Sequence, residues 1–333
     1  MTTSVPVPAD AGGKRLGPDT GDTSALKVSE RIATLDRPHE APPKSRQREF
    51  AERPPRWYQI IWSSGKARVG ICLLGFFVLM AIFAPLIAPY DPQDGSFAPL
   101  LSPSWEHLMG TTSQGYDIFS QFVYGTRLSL LVGIFGGLFA TVIAVFVSMI
   151  SGYSEGTFLD NFLSFFTNLA LVVPVLPLMM VIIAYSEVRG LWLMVFVIGI
   201  TSWAGAARGK RAQIITLRSR EFVTAAKFSG ERSLPIVFKE IMPNMTSLVV
   251  SGFIAAATGA IVAEAGLSFL GFGDPTSVSW GQMLAFANAN GALVQGFWVW
   301  LLVPGLALAV LITSLTFINF GVDLLSNPHL REG

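Results

Sequence analysis

Residues 128–150 read LSLLVGIFGGLFATVIAVFVSMI, a run of 23 residues without a charged side chain. A helix needs about 20 apolar residues to cross the roughly 30 Å hydrocarbon core of a bilayer. The run has that length, and it is several times longer than an ordinary β-strand. It therefore predicts a transmembrane helix.

Five more segments on either side of this run have a similar length and apolarity. Pro174, Pro177 and Pro304 lie inside two of them, where we expect kinks that a bundle of membrane helices tolerates. One segment is short and contains Ser202 and Gly205, so five spans remain an alternative to six. The sequence predicts an all-α membrane protein with about six transmembrane helices, the other five covering residues 69–89, 162–184, 190–207, 246–272 and 298–322.

The composition also favours a membrane protein. Hydrophobic residues make up 51% of the 333 positions and charged residues 14%, whereas soluble domains carry roughly 25% charge. Cys72 is the single cysteine, so no disulfide can form within the chain.

The basic residues predict the orientation in the membrane. Twelve of the 23 Lys and Arg residues precede position 69 and eight lie in 208–239, whereas 90–126 and 273–297 contain none. Lys and Arg accumulate in cytoplasmic segments of membrane proteins. Four spans separate the two basic regions, so six spans place both of them, and both chain ends, on the cytoplasmic side.

These patterns divide the chain into consecutive regions. A polar, Pro-rich stretch without large apolar clusters predicts a disordered tail, and the aromatic and basic residues after it suit the membrane interface. The regions are a cytoplasmic tail at 1–56, an interfacial segment at 57–68, the first transmembrane helix at 69–89, an extracytoplasmic loop at 90–127, a core of five transmembrane helices at 128–322 with a cytoplasmic loop at 208–245, and a cytoplasmic C-terminus at 323–333.

No motif in the sequence indicates an enzyme. The chain lacks a Gly-rich nucleotide-binding loop of the Gly-x-x-x-x-Gly-Lys-Ser/Thr type, and His39, His107 and His329 lack the spacing of metal ligands. We expect no catalytic residue, no metal site, no bound cofactor and no nucleic-acid partner. Energy for uphill transport would then come from an ion gradient or from another subunit.

Glu264 is the one carboxylate deep inside an apolar segment. A charged group there is costly and often functional. It could line a pathway, cap a helix or bond to a neighbouring subunit. Small neighbours permit close approach of helices, so we expect a subunit interface or a gate, with Glu264, Gly266 and Ser268 as its candidate residues.

The basic loop contains the run EFVTAAKFSG at residues 221–230. It reads as a short helix that carries two small residues and ends at Gly230. Small surface residues would let a partner protein approach closely, although a solvated basic loop is the plain alternative.

This loop resembles the cytoplasmic "EAA" loop of bacterial ABC importer permeases, in which a coupling helix inserts into a cleft of the ATPase subunit. Thr224 stands where that family usually has Glu. The resemblance implies an ATPase-coupling role for Glu221, Thr224, Ala225, Ala226, Gly230, Pro243 and Asn244.

Motifs throughout residues 57–331 resemble the C-type subunit of the dipeptide/oligopeptide permease group. Examples are Ala88-Pro89-Tyr90-Asp91-Pro92, Gly110-Thr111, Glu264-Ala265-Gly266-Leu267-Ser268, Ser279-Trp280-Gly281 and Pro304-Gly305-Leu306-Ala307.

This resemblance implies the type I ABC importer permease fold and a peptide-like solute, in a bacterial cell membrane. It also implies a homologous second permease, two ATPase subunits that hold ATP and Mg²⁺, and an extracytoplasmic solute-binding protein. An ion-coupled secondary transporter, a membrane-anchored scaffold, and a permease for a nickel chelate or another non-peptide solute remain the alternatives.

Overall fold

The computed structural model describes residues 62–326, and every regular element in that range is helical. The predicted all-α fold is therefore confirmed. The elements are α1 Gly65–Ile82, α2 Ala84–Ile87, α3 Ile118–Tyr153, α4 Phe158–Val172, α5 Val175–Ala184, α6 Leu191–Thr201, α7 Ala204–Arg218, α8 Glu221–Phe228, α9 Ser233–Pro235, a π-helix Ile236–Ile241, α10 Met242–Asn244, α11 Thr246–Phe269, α12 Trp280–Ala289 and α13 Trp298–Ser326.

Four of the described helices, α1, α3, α11 and α13, are long and apolar enough to cross a membrane. The pairs α4–α5 and α6–α7 qualify only as pairs, because each is bent, by 86° and 44° respectively. The number of spans is six if each bent pair counts as one. The six predicted segments correspond to these six units.

The bend between α4 and α5 has a local cause. Val173 precedes a proline and is extended (φ −72°, ψ 126°), since Pro disfavours the helical conformation of the residue before it. Pro177 lies in the first turn of α5, where proline is tolerated. The helix α13, in contrast, continues through Pro304.

The helix α3 is longer than predicted because it begins ten residues before the apolar run. Asp117 caps it, accepting hydrogen bonds from the amide and hydroxyl of Ser120 at 2.8 and 2.7 Å. The predicted loop 90–127 therefore ends at residue 117. With 36 residues, α3 is about 54 Å long and extends beyond the hydrocarbon core.

Other boundaries also shift. The helix α1 begins at Gly65, inside the predicted interfacial segment, and α7 continues to Arg218, inside the predicted cytoplasmic loop. The predicted C-terminal segment begins within α13. The predicted tail 1–56, residues 57–61 and residues 327–333 lie outside the described residues.

The helix α3 is the centre of the bundle and packs against α11, α7, α6 and α1, while α13 packs against α1 and α11. A Cβ on Gly137 of α3 would lie 2.6 Å from Ala257 Cα of α11, so only glycine permits this helix contact. The short helix α12 also packs into the bundle: Trp280 is fully buried, and its Nε1 donates to the Phe122 carbonyl at 3.0 Å.

Candidate functional site

The helix α8 is an exposed helix held by one buried side chain. Of its eight residues only Val223 is buried. Glu221, Thr224 and Ala225 are exposed, and Ala226 is half-buried. The helix therefore presents small, polar and aromatic side chains to its surroundings, the aromatic ones being Phe222 and Phe228.

The end of α8 depends on a glycine. Gly230 has a φ of 81°, a left-handed conformation that costs little for glycine and more for other residues. The Glu231 amide donates to the Ala226 carbonyl at 3.2 Å, which closes the helix in a Schellman-type turn. The predicted helix and glycine turn are both present, and their role in docking remains a prediction.

A small apolar core beneath α8 fixes its position. Val223 packs there with Ile214 of α7 and with Ile236 and Ile241 of the π-helix. Met149 of α3 belongs to the same core. Because side chains from α3, α7 and α8 interlock in one packed cluster, a displacement of α8 would be transmitted to the long helices.

Two of the predicted coupling residues are outside α8. Pro243 and Asn244 lie on α10, where the π-helix meets α11, and both are exposed. The Asn244 Nδ2 donates to the Glu240 carbonyl at 2.6 Å, which supports the end of the π-helix.

Three large apolar side chains near α8 were not singled out in the sequence. Phe228 is 89% exposed, Leu234 71% and Phe238 53%. Large exposed apolar side chains of this kind are typical of surfaces that contact another protein or the membrane. The sequence does show these large apolar residues within an otherwise charged loop, and that pattern could have indicated an exposed apolar surface.

The sequence reasoning also missed a buried ion pair between α4 and α7. Arg211 binds Asp160 through two hydrogen bonds, from Nη2 at 2.7 Å and from Nε at 2.9 Å. Asp160 also accepts from the hydroxyls of Ser151 and Ser164 and from the Gly156 amide. The cluster joins α3, α4 and α7 next to the core under α8.

Glu264 is completely buried within the chain. Its Oε1 accepts a hydrogen bond from Ser268 Oγ at 2.7 Å. Its Oε2 and the Ser129 hydroxyl are buried without a hydrogen-bond partner among the described residues, and the Ser279 hydroxyl lies beside the same carboxyl. The carboxyl therefore points into its own bundle, and its role at a subunit interface or a gate stays a prediction.

The other two residues of that predicted interface or gate face in different directions. Ser268 is buried beside Glu264. Gly266 lines an open groove, and a Cβ there would meet no atom within 4 Å. Of the three, only Gly266 is accessible to a second subunit.

Glu264→Gln is expected to leave stability and transport close to wild type, because the amide can still accept from Ser268 and can donate to Ser129. Glu264→Leu should lower the melting temperature, since it leaves the buried Ser268 hydroxyl without its acceptor, at a cost of about 1–3 kcal/mol. Thermal unfolding in detergent measures the difference. Equal damage in both variants would contradict a hydrogen-bonding role and would point to the charge itself.

Comparison with known proteins identifies the family. Residues 144–332, more than half of the chain, match the family model described as "Binding-protein-dependent transport system inner membrane component". The chain belongs to this family. Residues 66–103 match a second model, the N-terminal transmembrane domain of oligopeptide transport permease C.

Relatives align along most of the chain. A candidate peptide permease protein of Brucella suis biovar 1 is 34% identical over 263 residues, which are 78% of this chain and 86% of the relative. A dipeptide transport system permease protein of Bacillus subtilis is 29% identical over 301 residues, 87% and 91% of the two chains. An oligopeptide transport system permease protein of the same species is 31% identical over 277 residues, 81% and 88%.

The chain is thus a multi-pass membrane permease component of the ABC importer class with a type I importer fold, and the family is not itself catalytic. The predicted coupling residues, the Asp160–Arg211 pair and Glu264 all lie within residues 144–332. The capped start of α3 lies between the two matched ranges.

Proposed function

We propose that this permease forms half of the translocation pathway of an ATP-driven importer for dipeptides, oligopeptides or similar small peptide-like solutes. The single observation that carries the proposal is α8, an exposed helix of small residues fixed on a packed core that includes side chains of the long helices. The substrate class rests on the relatives named as dipeptide and oligopeptide permeases.

The pathway opens by alternating access. ATP and Mg²⁺ are held by two separate ATPase subunits, and this chain binds no cofactor. Closure of the ATPase pair moves α8, and the core beneath it passes the displacement to α3 and α7. The permease then changes between an outward-open and an inward-open state.

Further partners complete the transporter. A homologous second permease supplies the other half of the pathway, and an extracytoplasmic solute-binding protein delivers the cargo. The residues that contact the ATPase are Glu221, Thr224, Ala225, Ala226, Gly230, Pro243 and Asn244, together with the exposed Phe228 and Leu234.

Co-purification and uptake test this function. The chain is co-expressed with the second permease, the ATPases and the binding protein encoded beside it, extracted in mild detergent and reconstituted into liposomes. We expect recovery of the complex and ATP-dependent uptake of labelled tripeptides. Uptake driven by an ion gradient with no ATPase bound would instead support a secondary transporter.

The orientation in the bacterial cell membrane is tested by cysteine labelling in a Cys72→Ser background. Ser96 and Ser219 are both exposed, so reactivity at either position reports the side of the membrane and not burial. We expect an impermeant thiol reagent added to intact cells to label Ser96→Cys and to leave Ser219→Cys unmodified. The reverse pattern would invert the proposed topology, in which α8 and both chain ends are cytoplasmic.

A further inference from the structure

A groove of about 730 Å³ opens between α5, α7 and α11. This volume is within the range of about 300–1,000 Å³ that is typical of small-molecule sites. The wall formed by α11 consists mostly of glycine and alanine, which leaves room for a solute. The polar side chains on its lining are Ser202, Lys210 and Ser251.

Lys210 is a buried cation that lines this groove. Lys210 lies on α7, and only 4% of the residue's surface is exposed. Nζ lies 2.6 Å from the position that a Cβ on Gly252 would occupy, so the ammonium group rests against the bare backbone of α11. Glycine at position 252 makes this approach possible.

Lys210 has no hydrogen bond or ion pair with any residue between 62 and 326. The next residue on α7, in contrast, is Arg211, which is bound twice by Asp160. The ammonium group itself reaches the open groove, and an ionised side chain within a membrane-spanning segment usually faces a water-filled cavity or meets a partner. A cation retained under these conditions is expected to meet an anion in the working protein.

Two carboxylates on helices beside the groove, Asp323 and Glu264, accept hydrogen bonds from serines and not from Lys210. Asp323 accepts a hydrogen bond from Ser251 at 3.2 Å and makes no ion pair with Lys210 in this part of the chain. Glu264 is bonded to Ser268. It also lies 12 residues beyond Gly252 on α11, about 18 Å along the helix axis.

We propose that Lys210 binds the carboxylate of the cargo as it passes through this groove. The inference rests on the proposed function, because every free peptide has one C-terminal carboxylate and the groove offers one buried cation. The small residues of α11 accommodate the peptide beside it, and the mostly apolar walls tolerate different side chains. Selectivity for the carboxylate end then requires no pocket for a particular residue type.

The contact itself is tested with a zero-length carbodiimide, which joins an amine only to an adjacent carboxylate. Reconstituted full complex is incubated with a labelled tripeptide mixture, treated with the reagent and digested for mass spectrometry. We expect a peptide adduct on Lys210 that disappears in Lys210→Met. A cross-link from Lys210 to the second permease would identify a subunit carboxylate as its partner, and absence of any adduct at Lys210 would also overturn the proposal.

Uptake and stability give a second, independent test. Lys210→Met should reduce tripeptide uptake by about tenfold or more, the usual value of a charge-assisted hydrogen bond, and Lys210→Arg should retain most of it. The melting temperature of Lys210→Met should rise, because an apolar side chain replaces an unpaired cation. Lys66→Met serves as the matched control, since Lys66 is exposed on α1 and stacks over Phe320.

The outcomes separate this inference from the proposed function. If Lys210→Met takes up tripeptide as well as the wild-type complex does, the proposed carboxylate site is overturned and the proposed function stands. A lower melting temperature with loss of assembly in Lys210→Met would assign Lys210 a structural role. If the wild-type complex takes up no tripeptide at all, the proposed function fails.

Discussion

Arg211→Met is expected to destabilise the permease by about 2–3 kcal/mol. Loss of one partner from a buried ion pair typically costs roughly 3–5 kcal/mol, because the remaining charge stays buried and unpaired. The Asp160 side chain is only 4% exposed, but Arg211 is 31% exposed, so water screens part of the interaction and the lower value applies. The melting temperature in detergent, compared with wild type, measures this loss.

Two variants distinguish the ion pair from a general effect of removing positive charge. Arg218→Met removes a cation from the same helix whose partner Glu155 is 3.7 Å away and exposed, so its effect should be within about 0.5 kcal/mol. Asp160→Leu combined with Arg211→Met removes both charges and should recover part of the lost stability. If the double variant is less stable than Arg211→Met, the cost does not come from an unpaired Asp160.

The Asp160–Arg211 pair also bears on transport. It holds α4 to α7, and α7 contributes Ile214 to the core under α8. A weakened pair should therefore reduce uptake in proportion to stability, whereas a variant on the face of α8 should reduce uptake alone.

Hydropathy predicted the four long apolar helices and the two bent pairs well because the cost of unpaired backbone groups in lipid leaves few alternatives to a long apolar helix. It placed their ends poorly. The helix α3 begins at a cap formed by Asp117 and Ser120, and its first turns carry polar side chains that a hydropathy window counts as loop. The spacing of Asp117 and Ser120 is typical of a helix N-cap and could have indicated where α3 begins.

The charge pattern did not indicate where the helices end. Residues 208–218, which belong to the predicted cytoplasmic loop, continue the helix α7, and their side of the membrane stays a prediction. Arg211 and Lys210 are consecutive on that helix, one paired and one buried in a groove. Their surroundings depend on Asp160 and Gly252, which lie 51 and 42 positions away, and such contacts cannot be read from spacing within one segment.

Glu264 shows the same limit. Its small neighbours correctly indicated close packing of α11, but the sequence could not say which side of the helix the carboxyl would face. The answer comes from Ser268 on α11 and from Ser129 on α3, which place it inside the bundle.

Ala225→Trp is expected to weaken coupling strongly while leaving the permease folded. Ala225 is exposed on α8, so a large side chain can extend into solvent in the permease itself. It would instead obstruct the cleft of a docked ATPase, and overpacking of about 1–3 kcal/mol at such a contact corresponds to a fivefold to hundredfold loss of association. Uptake should fall by about tenfold or more, and the melting temperature of the isolated permease should not change.

Ala212→Trp is the matched control, because Ala212 is an exposed alanine on α7 that does not belong to the predicted coupling residues. A large residue at Ala226 is less informative, since Ala226 is half-buried against the core under α8 and would also disturb folding. A second variant, Gly230→Val, tests the turn at the end of α8. A β-branched residue strains the left-handed conformation at φ 81° and should displace the end of the helix.

Normal uptake in both Ala225→Trp and Gly230→Val would remove the basis for docking through α8. Loss of uptake in Ala212→Trp as well would mean that the ATPase also contacts α7, which shares the core under α8 through Ile214.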